Sequence, residues 1–321
     1  MPRVPEISLV PLTRDTIPTA LDLHRRSETF DGVPRVLELE ELEEELDDEH
    51  VVLATDTRLA LLDGEPAGYV YTYYLPSEVR EERNYIFGEV VPEHRGKGVG
   101  ATLMEWAIAR ATAQLHSSGR SLPRYVRADS YDYIESAHRL FARLGMEPVR
   151  YTDELLRPLT DLPALPTLDG VHIVPWPAHR SEEIRAVKND SFADHWGSTP
   201  TNEHHWAQMT TGFGARLDLS FVAIDDHDHI VGHCLNKRYE ADDAVLGRKD
   251  AWIDNLGTLR EWRGRGIASA LIAHSLHAFA ADNLTHASIG VDSENPTGAA
   301  RLYQALGFER QTRSITHQLV V

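Results

Sequence analysis

The sequence predicts an α/β (α+β) chain of two tandem domains, and three observations predict it. A cationic, glycine-dense turn occurs twice, each time between an apolar strand-like run and an amphipathic helix. A second motif, running strand, helix, glycine, strand, closes each half. The length of 321 residues suits two copies of a unit of about 150.

The first half opens with a strand near Ile7–Val10 and a helix over Thr16–Arg26. A second helix, Leu37–His50, carries Glu38, Glu40, Glu41, Glu43, Glu44, Glu45, Asp47, Asp48 and Glu49. Its stripe of Leu39, Leu42 and Leu46 recurs at helical spacing, which leaves most of these carboxylates on a solvated face, with a cation-attracting rim as the alternative. Strands near Leu59–Leu62 and Ala67–Tyr74 flank Asp63-Gly64-Glu65, a hairpin signature. The strand Tyr85–Val91 leads to the first turn, Arg95-Gly96-Lys97-Gly98-Val99-Gly100, and a helix begins at Ala101. The half closes with Val126-Arg127-Ala128-Asp129 and a helical run that ends at Leu144-Gly145-Met146.

Leu155–Gly170, punctuated by Pro158, Pro163 and Pro166, reads as a linker. The expected division is therefore residues 1–157, a linker at 158–170, and residues 171–321. The plan restarts at Val171–Pro175, with a helix near Ser181–Phe192, a hairpin around Asp225–Asp228, and strands through Gly232 and Trp252. Ala251–Leu259 leads to the second turn, Arg263-Gly264-Arg265-Gly266-Ile267-Ala268. A last strand ends near Asp292 and Asn295 begins a turn. Ala299, Leu302, Tyr303 and Leu306 then recur at helical spacing until Gly307 stops the helix and Phe308 opens a strand.

Equivalent residues keep a nearly constant separation: Arg95 and Arg263 stand 168 apart, Gly145 and Gly307 162 apart. The difference falls where only the first half carries Ser117-Ser118-Gly119-Arg120-Ser121-Leu122-Pro123, and loop insertions of this size cost little. In each turn small residues let backbone N–H groups approach an anion, and the helix start adds partial positive charge. A Walker loop needs Ser or Thr directly after Gly-Lys, whereas Gly98 follows Lys97. A dinucleotide fingerprint needs G-x-G-x-x-G, whereas Gly96, Gly98 and Gly100 alternate. Both turns satisfy Arg-x-x-Gly-x-Gly/Ala on a strand–turn–helix unit.

This resembles the pyrophosphate-binding motif of the GNAT superfamily, the acyl-CoA-dependent N-acyltransferases. The closing motif is similar to that superfamily's Asn-x-x-Ala-x-x-Leu-Tyr-x-x-x-Gly-Phe. The resemblance covers both halves and implies two GNAT-like domains, each a mixed, splayed central sheet flanked by helices. It implies acetyl-CoA, or another short acyl-CoA, as the cofactor. The pyrophosphate would lie on the backbone of Arg95, Gly96, Lys97, Gly98, Val99 and Gly100, and of Arg263, Gly264, Arg265, Gly266, Ile267 and Ala268. The pantetheine arm would run along Val90 and Val91 or Thr258 and Leu259, and Asn295 joins the cofactor set.

Composition fits a cytoplasmic pair of domains. Apolar residues are 42% of the chain, and no apolar stretch approaches the roughly 18 residues of a membrane helix. No apolar core follows Met1-Pro2-Arg3-Val4-Pro5, which argues against secretion. The formal charge of −18 argues against nucleic acid as the main partner and favours cationic acceptors such as amines. A monomer of two domains and a homodimer both remain open. Cys234, the single cysteine, sits in an apolar run and reads as a buried, inert thiol.

Acetyl transfer needs a neutral amine, a polarised thioester and a proton for the departing thiolate. The resemblance places Tyr303 beside the CoA sulfur as that acid, packing on the helix face being the alternative. The matching residue of the first half is Phe141, which has no proton to give, and Tyr133 stands for Asn295 there. Strand residues before the turn often reach the acceptor in this superfamily. Asp254 is the candidate base, while Asn255 must point to the other face; His233 is a weaker candidate, and Glu89 is the acidic residue of the first half. Phe192, Asp194, His195, Trp196 and Trp206 suit a pocket for a polar or cationic acceptor, and the run Phe-x-Asp-His-Trp-Gly resembles tandem GNAT proteins, the group that includes mycothiol synthase. Glu203-His204-His205 lacks metal-ligand spacing, so no metal is assigned.

Two functions follow as expectations. One is an N-acetyltransferase whose second half acts on a small-molecule primary amine while the first half keeps a cradle without the acid. The other is a non-catalytic acyl-CoA-binding or sensing protein.

Overall fold

Two turns of glycine geometry set the repeat's helices. Gly98 (φ +93°) and Gly266 (φ +82°) cap the two long helices that follow the cationic turns, in a backbone region open to glycine at little cost. A computed structural model describes residues 6–294 and 299–321, so Asn295 lies outside the described residues. The chain forms two compact units, Met1–Arg150 with Ser314–Val321, and Tyr151–Arg313.

The first unit contains β1 (Ile7–Val10), α1 (Ile17–Asp31), α2 (Leu39–Leu46), α3 (Leu53–Asp56), β2 (Thr57–Leu62), β3 (Glu65–Leu75), β4 (Glu82–Val90), α4 (Val99–Ser117), β5 (Arg124–Tyr131), α5 (Glu135–Arg143) and the start of β6 (Glu147–Pro158). The second contains the rest of β6, then β7 (Val171–Pro175), α6 (Ser181–Ser191), α7 (Glu203–Thr211), β8 (Phe221–Asp225), β9 (Ile230–Lys237), α8 (Asp243–Leu246), β10 (Asp250–Thr258), α9 (Ile267–Ala281), β11 (His286–Asp292), α10 (Ala299–Ala305) and the start of β12 (Glu309–Val320).

In the first unit the strand order is β1-β2-β3-β4-β5 followed by Ser314–Val320 of β12. In the second, β7-β8-β9-β10-β11 is followed by Thr152–Pro158 of β6. The compact units thus depart from the linear division expected at 157 and 171: each completes its sheet with a strand end from the other repeat. An open edge of unpaired N–H and C=O groups at β5 or β11 is satisfied in this way. The segment expected to be a linker is partly strand and otherwise packed, with Leu159 buried and Leu162 and Leu168 against the second core.

Each sheet is covered on both faces. In the first unit Val70, Ile86, Leu103 and Phe141 form one core, while Leu21, Leu42, Leu46, Tyr69 and Tyr71 form the other. In the second, Cys234, Ile253, Leu271 and Tyr303 pack on one side and Ile184, Trp206, Val222 and Leu235 on the other. The expected hairpin is present: Asp63 (φ 52°) and Gly64 (φ 91°) both take positive φ between β2 and β3. The acidic helix is shorter than expected, and not all of its acids are solvated. Glu41 is buried against Arg35, and Glu45 accepts a hydrogen bond from the Tyr71 hydroxyl at 2.6 Å. Among the described residues no helix is long and apolar enough to cross a membrane.

Candidate active site

The central strands of each unit part company halfway. β10 and β11 pair in parallel from Asp250↔His286 to Ile253↔Ile289 and no further, although β9 stays paired to β10 as far as Thr258. The register against β9 slips between Ile253 and Asn255, which makes Asp254 a bulge residue at the point where the opening begins. β4 and β5 likewise pair only from Glu82↔Arg124 to Tyr85↔Arg127. Each opening exposes one edge of a strand that runs directly into a glycine turn.

The turns are built from backbone donors. Among the described residues the N–H groups of residues 264–269 and of residues 96–101 have no backbone acceptor, and helix bonding starts at Ala270 and Thr102. Gly264 (φ +77°) and Gly96 (φ +75°) add a second left-handed residue to each turn. Thr258 brings to the end of the opened edge a buried hydroxyl that has no partner among the described residues. Unpaired donors around a turn with room for an anion fit a CoA pyrophosphate and the start of its pantetheine arm.

The two arginines of the motif do something else. The Arg263 guanidinium donates to the carbonyls of Thr258 (3.3 Å) and Ser191 (2.8 Å), tying the turn to α6. Arg95 donates to the Val90 carbonyl (2.9 Å), to Ser27 Oγ (2.6 Å) and to both carboxylate oxygens of Asp31 (2.6 and 2.7 Å). Their side chains therefore brace the turns, and the side-chain cations left near the cradle are the exposed Lys97 and Arg265, the latter stacked over Trp262 at 4.5 Å. Val91 and Leu259 need a correction too. Their N–H groups donate away from the opening, to Ala67 (3.1 Å) and Val231 (3.0 Å), and Val91 is buried. That leaves Val90 and Thr258 on the opened edge.

Tyr303 lies on α10, 7% exposed, with its ring edge-on to Phe308 at 6.2 Å. Burial raises its phenol well above the ordinary range, so it stays protonated. Phe141 of α5 occupies the corresponding core position with equal burial and packs on His317 at 5.0 Å. Cys234 is fully buried and its thiol is pushed up to about 12, as suits an inert side chain.

Asp254 and Asn255 separate as the strand alternation requires. Asp254 is open to solvent yet flanked closely by protein, and burial raises its carboxyl while Lys237 opposes the rise. Its charge falls on the Cys234 thiol, which faces Ser275 of α9 at 3.3 Å. Asn255 points the other way: its Oδ1 accepts from His233 Nε2 at 2.7 Å.

On that α6 side the expected acceptor residues gather. Phe192 packs tilted against His195 (4.7 Å between ring centres) and lies 5.5 Å under the Lys188 ammonium. His195 is half-buried, and burial followed by the charge of Arg263 lowers its pKa while Asp292 and Asp194 resist. Asp194 is half-exposed, 3.6 Å from Arg260 and 3.8 Å from Arg263, and Trp196 is exposed. Trp206 does not join them. Only 2% exposed, it donates its indole N–H to Ser181 Oγ (2.9 Å) and packs on Trp176 (6.0 Å), so it holds α6 and α7 together.

Sequence reasoning missed Ser191 and Gly257. Added to Gly257, a Cβ would overlap both Ser191 Oγ and His233 Cε1. Its role is invisible in a local pattern because the crowding atoms come from α6 and β9. Gly257→Ala is expected to lower stability by about 1–3 kcal/mol, read as a shift in the urea midpoint. A variant as stable as the parent would show that the neighbours yield freely.

The family model described as Acetyltransferase (GNAT) family matches residues 18–146 and 181–308. Mycothiol acetyltransferase from Thermobispora bispora is 30% identical over 270 residues, covering 81% of this chain and 82% of its own. The enzyme of that name from Tsukamurella paurometabola is 28% identical over 240 residues, 71% and 75% of the two chains. Among solved structures, a GCN5-related N-acetyltransferase from Sphaerobacter thermophilus superposes with a TM-score of 0.75 at 25% identity, covering 98% of this chain and 95% of that one. A tandem GNAT protein from the clavulanic acid biosynthesis pathway shares the fold, with a TM-score of 0.72 at 18% identity over 98% of both chains.

Proposed function

The chain belongs to the acetyltransferase (GNAT) family, and on that premise we propose that its second unit moves an acetyl group from acetyl-CoA to the primary amine of a small molecule. The observation that carries the reading is the coincidence, in that unit alone, of an unpaired N–H cradle at residues 264–269 with a protonated tyrosine on α10. Acetyl-CoA supplies an activated acyl group as a thioester. Thr258 and the backbone from Gly264 to Ala268 would hold it. Tyr303 would give its proton to the departing sulfur, a step for which a phenol kept neutral by burial is suited. Asp254 stands at the opening with its carboxyl raised by the surrounding protein, but toward Cys234 and α9, so the acceptor's proton would go to a group on the α6 side. Phe192, His195 and Trp196 would line the acceptor's approach.

The first unit would hold a short acyl-CoA without turning it over. Its cradle of N–H groups at residues 96–101 is intact, while Phe141 offers no proton. Because the curated relatives are mycothiol acetyltransferases, an amine precursor of mycothiol heads the panel of acceptors to try.

Two measurements test this. Calorimetry with acetyl-CoA should show two sites per chain; a single site would mean one cradle is closed, and no binding would remove the reading. A thiol-release assay across an amine panel should show CoA production with at least one amine. Binding without release from any amine would favour a sensing protein.

A further inference from the structure

We infer that His233 accepts the proton that the acceptor amine sheds, in the place where the first unit carries a carboxylate. This rests on the reading of the second unit as the acetyl-transferring one. Strand registers align the two units residue by residue. Glu89 of β4 stands across from Tyr69 of β3, and Gly257 of β10 stands across from His233 of β9; the next pairs are Val90 with Gly68 and Thr258 with Gly232. In the first unit the Glu89 carboxylate enters this space and accepts from Ser27 Oγ at 2.6 Å. In the second unit no side chain can leave the corresponding strand position, because a Cβ on Gly257 would overlap Ser191 Oγ and His233 Cε1. The same volume is filled from the neighbouring strand by an imidazole, with its Nδ1 3.1 Å from that point.

The ring's hydrogen bonding leaves it ready for one task. Asn255 Oδ1 can only accept, so the His233 proton is on Nε2 and the Nδ1 lone pair is bare. Nδ1 is fully buried and among the described residues has no partner, a state that a folded protein rarely tolerates without a use for it. An amine N–H is the donor it lacks. The groups facing the ring are Asn255 of β10, Ser191, Phe192 (6.3 Å between ring centres) and the charge of Lys188 from α6. Burial, aided by that charge, lowers its pKa to about 4, which keeps the ring neutral across the physiological range. Asp254, by contrast, acts toward Cys234 and α9, on the face away from Phe192 and His195.

The step balances as follows. The acceptor arrives as an ammonium, and His233 Nδ1 takes one of its protons, directly or through one water molecule, while Asn255 Oδ1 steadies the resulting imidazolium through Nε2–H. The freed nitrogen forms the C–N bond to the acyl carbon while the C–S bond breaks, and Tyr303 gives its proton to sulfur. The second proton on nitrogen restores the Tyr303 phenol through solvent, and the imidazolium releases its proton to solvent.

His233→Gln retains a group able to meet Asn255 and removes the titrating lone pair. Near pH 7 its kcat/KM for the amine should fall ~10²–10³-fold, with acetyl-CoA affinity by calorimetry unchanged. Above the amine's own pKa the acceptor arrives neutral, and the deficit should narrow to within about tenfold. A deficit constant across pH marks a packing role, and no deficit means another base; either overturns the proposal. Asn255→Ala, which keeps the ring but frees its tautomer, should give a smaller loss with the same pH trend, and a loss flat with pH would count against it. Nitrogen-15 NMR of the wild-type chain, independent of turnover, should find the His233 proton on Nε2; a proton on Nδ1 overturns the proposal. A wild-type chain that releases no CoA with any amine sinks the acetyl-transfer reading instead.

Discussion

Gly266→Glu is expected to abolish acetyl transfer, while Gly98→Glu leaves most of it intact. Both glycines cap a helix with positive φ, and a Cβ at either meets only ordinary contact: Leu168 Cδ2 at 3.4 Å for Gly266 and Ile7 Cδ1 at 3.5 Å for Gly98. The backbone strain of a non-glycine residue there is about 1–2 kcal/mol at either site, so the two variants should lose similar stability. What differs is the consequence of an anion planted among N–H groups that would receive pyrophosphate. On the proposed reading, in the second unit it would keep the acetyl donor from the tyrosine, and in the first it would close a cradle whose closing helix carries Phe141 instead. Gly266→Ala carries the strain without the charge and should retain measurable turnover. Steady-state rates with the best amine decide the matter, and the reverse ranking of the two glutamates would place the active site in the first unit.

Tyr303→Phe removes one oxygen and copies Phe141 of the first unit. If the hydroxyl protonates the departing sulfur, kcat should fall ~10²–10⁴-fold, or about 3–5 kcal/mol of barrier. Acetyl-CoA affinity should hardly move, because the hydroxyl matters once charge has grown on sulfur. Among the described residues no hydrogen bond holds that hydroxyl, so its loss should not unfold the chain. Phe141→Tyr should create no activity by itself, since Tyr133 stands where the second half has Asn295. A Tyr303→Phe rate within about twofold of wild type would show that the residue only packs, and the sulfur's proton would come from water.

Much of the fold was legible in the sequence because its cues are local. Glycines at Gly98 and Gly266 mark helix starts that need positive φ, Asp63-Gly64 marks a hairpin, and the stripe of Leu302, Tyr303 and Leu306 marks a helix face. The duplication was legible from spacing alone. Side-chain roles were read less well. The sequence puts the backbone of Arg95 and Arg263 in the anion site, yet their N–H groups donate to the carbonyls of Pro92 (3.2 Å) and Arg260 (3.3 Å), and their side chains go to backbone or to α1 and α6 residues more than sixty positions away. Trp206 seemed a pocket wall and is core, since aromatic composition does not say which face is buried.

The sequence by itself determined two cationic glycine turns, a tyrosine on the closing helix of the second half but not of the first, and the family, because each of these is written in residues that are close along the chain. Only the tertiary structure decided which strand end completes each sheet, which of Asp254 and Asn255 turns toward His233 and α6, and that His233 fills the space a side chain on Gly257 would need. Those outcomes depend on register and on atoms brought together from β9, β10 and α6. A one-residue bulge at Asp254 resets the facing of β10 there.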